Sequence, residues 1–235
     1  MMTFRFESDH DALAGMIDPA LLDAMADIQQ LADEAGDSVA DKLTLPDMLA
    51  ERRQAIIDRL CREYAWGRVY RLRYLRPEKC ARLVELMRDS WEDWEPNPEE
   101  DAAYQMDEIV LRDKRPDAYE LFAALHEQVL RPLWVVIYGV SPDDIRSIQV
   151  ARYQPGPRAM TNWHYDSSSE CTSVVELTAL SDREGAGFEV FPGVSLPAAE
   201  QGEVTMFPGR TLIHRSLPVT AGERAILVHW VNCTT

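Results

Sequence analysis

The sequence predicts a mainly β fold with flanking helices: a double-sheet jelly roll preceded by a helical N-terminal extension. Three observations predict it. From residue 171 to residue 231, short strand-like segments follow one another with turn-rich breaks and no helical spacing, which is the pattern of a jelly roll. Two earlier stretches, near residues 77–90 and 115–138, carry apolar residues at helical spacing. Residues 1–66 read as helical throughout.

Taken in order, Asp18 before Pro19 is a helix cap followed by proline at the first helical position. Leu21, Leu22, Met25, Ile28 and Leu31 follow at helical spacing, and Gly36 and Asp37 punctuate. A second helix is expected over residues 46–66, with Leu49, Ile56, Ile57, Leu60 and Tyr64 mostly on one face. His10 is the only histidine here and is expected to be exposed. The extension bears no chemical motif, which suits packing or partner binding. At Gly67 the period changes: Tyr70, Leu72 and Tyr74 alternate with Arg71 and Arg73, as in a half-buried strand. This strand, followed by a helix that starts at Pro77, is similar to the opening of the prolyl hydroxylase catalytic domain, which implies a boundary near Gly67, with an extension at 1–66 and a main domain at 67–235.

Pro77 starts a helix whose apolar face is Cys80, Leu83, Val84 and Met87. Residues 104–111 read as a strand, and Pro116 opens a long helix ending near Gly139, with His126 packed on it or at its surface. Residues 145–153 form another strand, and Gln154-Pro155-Gly156-Pro157 is a breaker-rich lip. Further strands are expected at 171–180, 188–191, 203–207, 211–216 and 224–231, with turns at 181–187, 192–202, 208–210 and 218–222.

A chain of 235 residues suits one large domain or a domain with an extension. A net charge of −16 argues against wrapping duplex DNA. No apolar run approaches a membrane span. The N-terminal stretch has neither the basic region nor the apolar core of a secretory signal. Cys61, Cys80, Cys171 and Cys233 are scattered, and read as free thiols in a reducing cytoplasm. Between Trp91 and Asp101 lie six acids and no base. This run reads first as a solvated loop. The sharper alternative is a rim that attracts a cationic substrate, with Trp91 and Trp94 against its alkyl stem. The sequence specifies no oligomeric state.

The chemistry concentrates between Asn162 and Trp230. In extended chain, residues two apart share a face, so His164 and Asp166 reach one point together. His214 completes two histidines and one carboxylate, a set that holds a divalent metal and leaves one side of it open. Arg224 follows ten positions later, where a guanidinium clamps a dicarboxylate's far end with two prongs. His229 lies on the opposite face from Arg224, Ile226, Val228 and Trp230, and is not a ligand. Thr172 and Thr178 are weaker candidates for a hydroxyl at the same site.

The order His-x-Asp, long interval, His, then a basic residue about ten later resembles the iron(II)- and 2-oxoglutarate-dependent dioxygenases of the prolyl/lysyl hydroxylase branch. Pro208-Gly209-Arg210, and Leu217-Pro218-Val219-Thr220 with Gly222 and Arg224, are most similar to the catalytic domain of procollagen lysyl hydroxylases. The resemblance implies a double-stranded β-helix over about residues 67–232, with Fe(II) as metal, 2-oxoglutarate and O2 as cosubstrates and ascorbate as an optional accessory. It implies that Tyr153, on the strand before the metal ligands, assists Arg224 in binding 2-oxoglutarate. The implied reaction hydroxylates an unactivated C–H of a lysyl or prolyl residue in a peptide, or of a free amino acid, releasing succinate and CO2. Asp166 favours hydroxylation over halogenation, since related halogenases lack that carboxylate. The alternatives are a nucleobase or other small-molecule oxygenase, a silent β-helix scaffold, and a cupin-type metal enzyme, which would leave Arg224 unexplained.

Overall fold

The strands gather into two facing sheets with helices on the outer side of the larger one. The computed structural model describes residues 13–39, 47–96 and 105–234. The strands are β1 (Arg62–Tyr64), β2 (Val69–Arg73), β3 (Glu95–Pro96), β4 (Asp107–Val110), β5 (Asp144–Tyr153) and β6 (Cys171–Glu176). They continue with β7 (Arg183–Val190), β8 (Val194–Leu196), β9 (Glu203–Phe207), β10 (His214–Gly222) and β11 (Arg224–Asn232). The larger sheet runs β1-β2-β9-β6-β11-β5-β4-β3 and the smaller β10-β7-β8. Every pairing is antiparallel.

Alternation along β11 shows how the layers form. Leu227 packs with the helices, whereas Ile226, Val228 and Trp230 point toward the smaller sheet. The longer helices are α1 (Met25–Val39), α2 (Asp47–Leu60), α3 (Pro77–Ser90), α4 (Pro116–Leu125) and α5 (Arg131–Tyr138), and two of a single turn each lie at Pro19–Leu22 and Leu111–Lys114. Trp134 of α5 is tied to the sheet, its indole N–H donating to Ser173 Oγ at 3.1 Å.

Several expectations change. The long helix after Pro116 is realised as α4 and α5 joined by a π-type turn, His126–Leu130. Pro132 has no N–H to offer the carbonyl four residues earlier. That carbonyl, of Gln128, instead accepts from Gln29 Nε2 at 3.3 Å. Gly139, at φ 70°, then ends α5 in the left-handed region. Gly36 and Asp37 lie inside α1 rather than punctuating it. The second helix stops at Leu60, and Arg62–Tyr64 pairs with β2 as an edge strand. Residues 183–187 and 218–222, expected as turns, extend β7 and β10. Pro218 is tolerated because β10 is an edge strand and its register shifts between Val219 and Ala221.

Gly67, at φ 76°, sits in the β1–β2 turn. One apolar cluster runs from Leu21, Ile28 and Ile57 of the N-terminal helices to Leu72, Tyr74, Leu133 and Trp134. The helices also reach across by polar contacts. Asp18 N donates to Tyr74 O at 2.8 Å, and the Arg53 guanidinium donates to the carbonyls of Val136 and Ile137.

Of the acidic run, residues 97–101 lie outside the described residues, as do His10 and Tyr104. Two acids of the described part meet the chain's own cations. Asp93 pairs with Arg115 at 2.9 Å and Glu95 with Lys114 at 3.6 Å. Trp91 is buried beneath Arg115, and Trp94 carries Arg152 over its ring.

Candidate metal centre and its cavity

His214 opens β10, and its strand-like pairing captures the loop that precedes β6. His214 N donates to His164 O at 2.8 Å and His164 N to His214 O at 3.0 Å, a single antiparallel bridge. Asp166 N donates to Gly209 O at 3.0 Å. The stretch expected as extended chain at His164 and Asp166 is thus a loop pinned at two points. Proline and glycine at 155–157 keep it out of the sheet.

The three side chains converge. Nε2 of His164 and Nε2 of His214 each lie 3.8 Å from Asp166 Oδ1, and the three donor atoms are all within 4.8 Å of one another. Among the described residues, this is the one cluster of at least three such groups. Each imidazole is oriented from behind. His164 Nδ1 faces Asn162 O at 2.8 Å and His214 Nδ1 faces Leu212 O at 2.9 Å. A carbonyl only accepts, so each Nδ1 carries the proton and each Nε2 keeps its lone pair for a ligand. Burial pushes His214 down to about 4, with Asp166 opposing and His164 reinforcing the shift. It is therefore neutral at neutral pH. The donor set and spacing fit one divalent ion with bonds of about 2.0–2.2 Å.

Thr172, a weak candidate from sequence, serves the metal ligand. Its Oγ1 donates to Asp166 Oδ2 at 2.5 Å. Thr178 instead accepts from Ala225 N at 2.6 Å, a backbone role. A cavity of about 880 Å3 opens over the cluster, lined by His164, Asp166, Glu108, Gln149, Trp163 and Trp230 among others.

Arg224 and Tyr153 are opposed across β11 and β5 and lie deeper between the sheets. Arg224 is 5 % exposed. Its Nε donates to Glu176 Oε2 at 2.9 Å and its Nη1 to Ser216 Oγ at 3.2 Å. Burial alone would lower its pKa, but Glu176 and then Tyr153 turn the net shift upward. Arg183 shares the same carboxylate oxygen at 3.3 Å, and its Nε and Nη1 are buried with no hydrogen-bond partner. Two buried guanidiniums against one glutamate leave one positive charge to be matched, which fits a carboxylate-bearing cosubstrate. Tyr153 is fully protonated, its pKa raised by burial, and its ring lies beneath Arg224 at 5.6 Å.

His229 is on the other face, as its parity predicted, stacked on His126 at 5.9 Å. Both histidines are completely buried.

Neither a protein-family model nor a curated relative matches the sequence. Solved structures do match. A collagen prolyl hydroxylase of Paramecium bursaria Chlorella virus-1, in a 2-oxoglutarate complex, is 20 % identical with a TM-score of 0.52, covering 71 % of this chain and 97 % of that one. The non-haem, α-ketoglutarate-dependent epimerase SnoN of nogalamycin biosynthesis is 16 % identical with a TM-score of 0.57, covering 81 % and 85 %. The carbocyclase SnoK of the same biosynthesis, also non-haem and α-ketoglutarate-dependent, is 15 % identical with a TM-score of 0.53, covering 70 % and 79 %.

The fold is the double-stranded β-helix.

Within that β-helix the sequence reading located the two histidines, the aspartate and the arginine, and the structure brings the first three into one cluster. It missed Glu176 and Arg183, whose place beside Arg224 depends on register between distant strands. It quoted Gly209 only as part of a motif. A Cβ there would collide with Thr172 Oγ1 and lie 2.8 Å from Asp166 Oδ2. No helix among the described residues is long and apolar enough to cross a membrane.

Proposed function

We propose that this protein is an iron(II)- and 2-oxoglutarate-dependent oxygenase that hydroxylates an unactivated C–H bond. The observation that carries the proposal is the convergence of His164, Asp166 and His214 into one cluster, whose first two members line the cavity. His164 and His214 would hold the metal through Nε2, and Asp166 through its carboxylate. Arg224, with Tyr153 beneath it, would take the far carboxylate of 2-oxoglutarate. When bound, the metal and 2-oxoglutarate supply the oxidation, with O2 consumed and succinate and CO2 released. The chain's own residues orient the ligands, match charge behind the site and surround the substrate with a partly apolar cavity. The proposed substrate is a lysyl or prolyl residue of a peptide, or a free amino acid.

The test is anaerobic addition of Fe(II) and 2-oxoglutarate to the full chain, which should produce the weak visible charge-transfer band of a chelated keto acid. His214→Ala should abolish it. A band that survives that substitution unchanged would show that the metal sits elsewhere. Succinate release across lysine- and proline-containing peptides and free amino acids then identifies the substrate.

A further inference from the structure

A guanidinium buried without its full set of partners costs stability, so its presence asks for a reason. Arg183 opens β7 with its side chain 1 % exposed. Its Nη2 donates to Ala199 O at 3.2 Å and lies 3.3 Å from Glu176 Oε2. Its Nε and Nη1 have no hydrogen-bond partner, and neither has Glu176 Oε1. A methionine at 183 would avoid that cost and leave Glu176 and Arg224 as a matched pair. Strand register brings Arg183 to this place, because it pairs with Gly222, two residues before Arg224. The strands pass so closely that a Cβ on Gly222 would collide with Asp182 O and lie 3.0 Å from Arg183 Cα.

Arg224 shows what the extra charge does. A guanidinium has five N–H donors. Glu176 Oε2 takes the one on Nε, and Ser216 Oγ takes one of the two on Nη1. One donor on Nη1 and both on Nη2 are left for a ligand. Glu176 thus aims the open end of Arg224 from behind, but the same carboxylate offsets the charge that Arg224 would offer. With Glu176 alone, much of the attraction between Arg224 and an incoming carboxylate would be lost to repulsion. Arg183, at the same Oε2, returns one positive charge to the group of three.

We infer that Arg183 is a positioning residue for the cosubstrate. It takes up the charge of Glu176, so that Arg224 is aimed by that carboxylate and still meets the far carboxylate of 2-oxoglutarate as a net cation. The inference rests on the proposed function for the identity of that ligand. Arg183 acts through Glu176 rather than by touching 2-oxoglutarate. Neutralising Arg183 therefore upsets the charge at Arg224, and neutralising Glu176 as well restores it.

The test titrates 2-oxoglutarate and 2-oxopentanoate into the full chain loaded with Co(II), under nitrogen, with binding read by calorimetry. The two acids share the keto-acid end, and only 2-oxoglutarate has the far carboxylate. Arg183→Met should weaken 2-oxoglutarate about tenfold or more, and leave 2-oxopentanoate and Co(II) within about threefold of wild type. Adding Glu176→Gln should recover most of the loss, because the glutamine Oε1 still accepts from Arg224 Nε and carries no charge to be matched. Arg183→Gln, which keeps an N–H for Ala199 O, should behave as Arg183→Met does, and it carries the test if the methionine variant does not fold. An arginine that served only the fold would weaken both keto acids together, and the second substitution would not rescue it. The inference alone is overturned if the wild type binds 2-oxoglutarate and the Arg183 variants bind it equally well. It is likewise overturned if they lose both keto acids alike, or if the double variant binds no better than the single one. A wild-type chain that binds neither keto acid overturns the proposed function, and this inference with it.

Discussion

Gly209 is glycine because Asp166 and Thr172 occupy the space where its side chain would go. Its carbonyl also accepts the Asp166 N–H, so one residue sets both the backbone and the carboxylate of the metal ligand. Partners of this kind behind a ligand typically contribute about 10–100-fold in metal affinity. Gly209→Ala should weaken Co(II) binding by about that factor, measured by calorimetry, with the circular dichroism spectrum retained. Thr172→Val should do the same and Thr172→Ser should recover most of it. Unchanged affinity in both would mean that Asp166 needs no support. Arg224 makes a different prediction. Arg224→Lys keeps a positive charge beside Glu176 but loses the planar fork, so the half-saturating 2-oxoglutarate concentration should rise about tenfold or more while Co(II) affinity stays near wild type. Equal loss of both ligands would assign Arg224 to the fold alone.

Strands and helices differ in how openly the sequence announces them. Alternation in β2, the shared face of Arg224, Ile226, Val228 and Trp230 in β11, and the proline starts of α3 and α4 are local signals, and these elements stand where the pattern puts them. β1 is three residues, two of them exposed, and has no apolar period to read; its partner β2 creates it. β10 runs through a proline because, with a neighbour on one side only, the ladder does not require an N–H at that position. The N-terminal helices were legible as helices but not as part of the core, since an amphipathic face does not say what covers it. A chain beginning at Gly67 would lose β1 and uncover the apolar groups that Ile28, Leu31 and Ile57 pack against. Each such side chain contributes roughly 1.5–3 kcal/mol, against a total stability of about 5–15 kcal/mol. The shortened chain should therefore lack a cooperative thermal transition. A transition within about 5 °C of the full chain's, roughly 2 kcal/mol or less, would show that the helices are dispensable.

At the scale of the whole molecule, acid is the expected weakness. His126 and His229 are both fully buried and stacked. Burial lowers the pKa of each, and His126 pushes His229 down further. Their unfolded value is about 6.5. Stability is thus fully present above that pH, and falls as the pH drops below it toward the lower folded values, because the unfolded chain takes up protons first. The loss approaches about 1.4 kcal/mol per pH unit for each histidine. His229→Leu should flatten the urea midpoint between pH 6.5 and 5 (a window taken from those unfolded values), and a variant as acid-sensitive as the wild type would rule the pair out. In the metal-free protein His214 adds to the same trend, with its folded value near 4. The spacing of His164, Asp166, His214 and Arg224 was legible along the chain. The two groups that share a charge with Arg224, and the carboxylate facing the cavity, were not. Glu176, Arg183 and Glu108 look like ordinary acids and bases until strand register turns them inward.

The proline that interrupts the helix between Pro116 and Tyr138 has a consequence for how the molecule opens. The Gln128 carbonyl, four residues before Pro132, accepts from Gln29 of α1, and the carbonyls of Val136 and Ile137 near the end of α5 accept from Arg53 of α2. Helices from two distant parts of the chain therefore complete one another's backbone hydrogen bonding. Amide protons of residues 131–138 and of 50–60 should exchange with deuterium at a common rate, as a single cooperative unit. Arg53→Ala should quicken exchange in both segments together, leaving the β5 and β11 amides as slow as before.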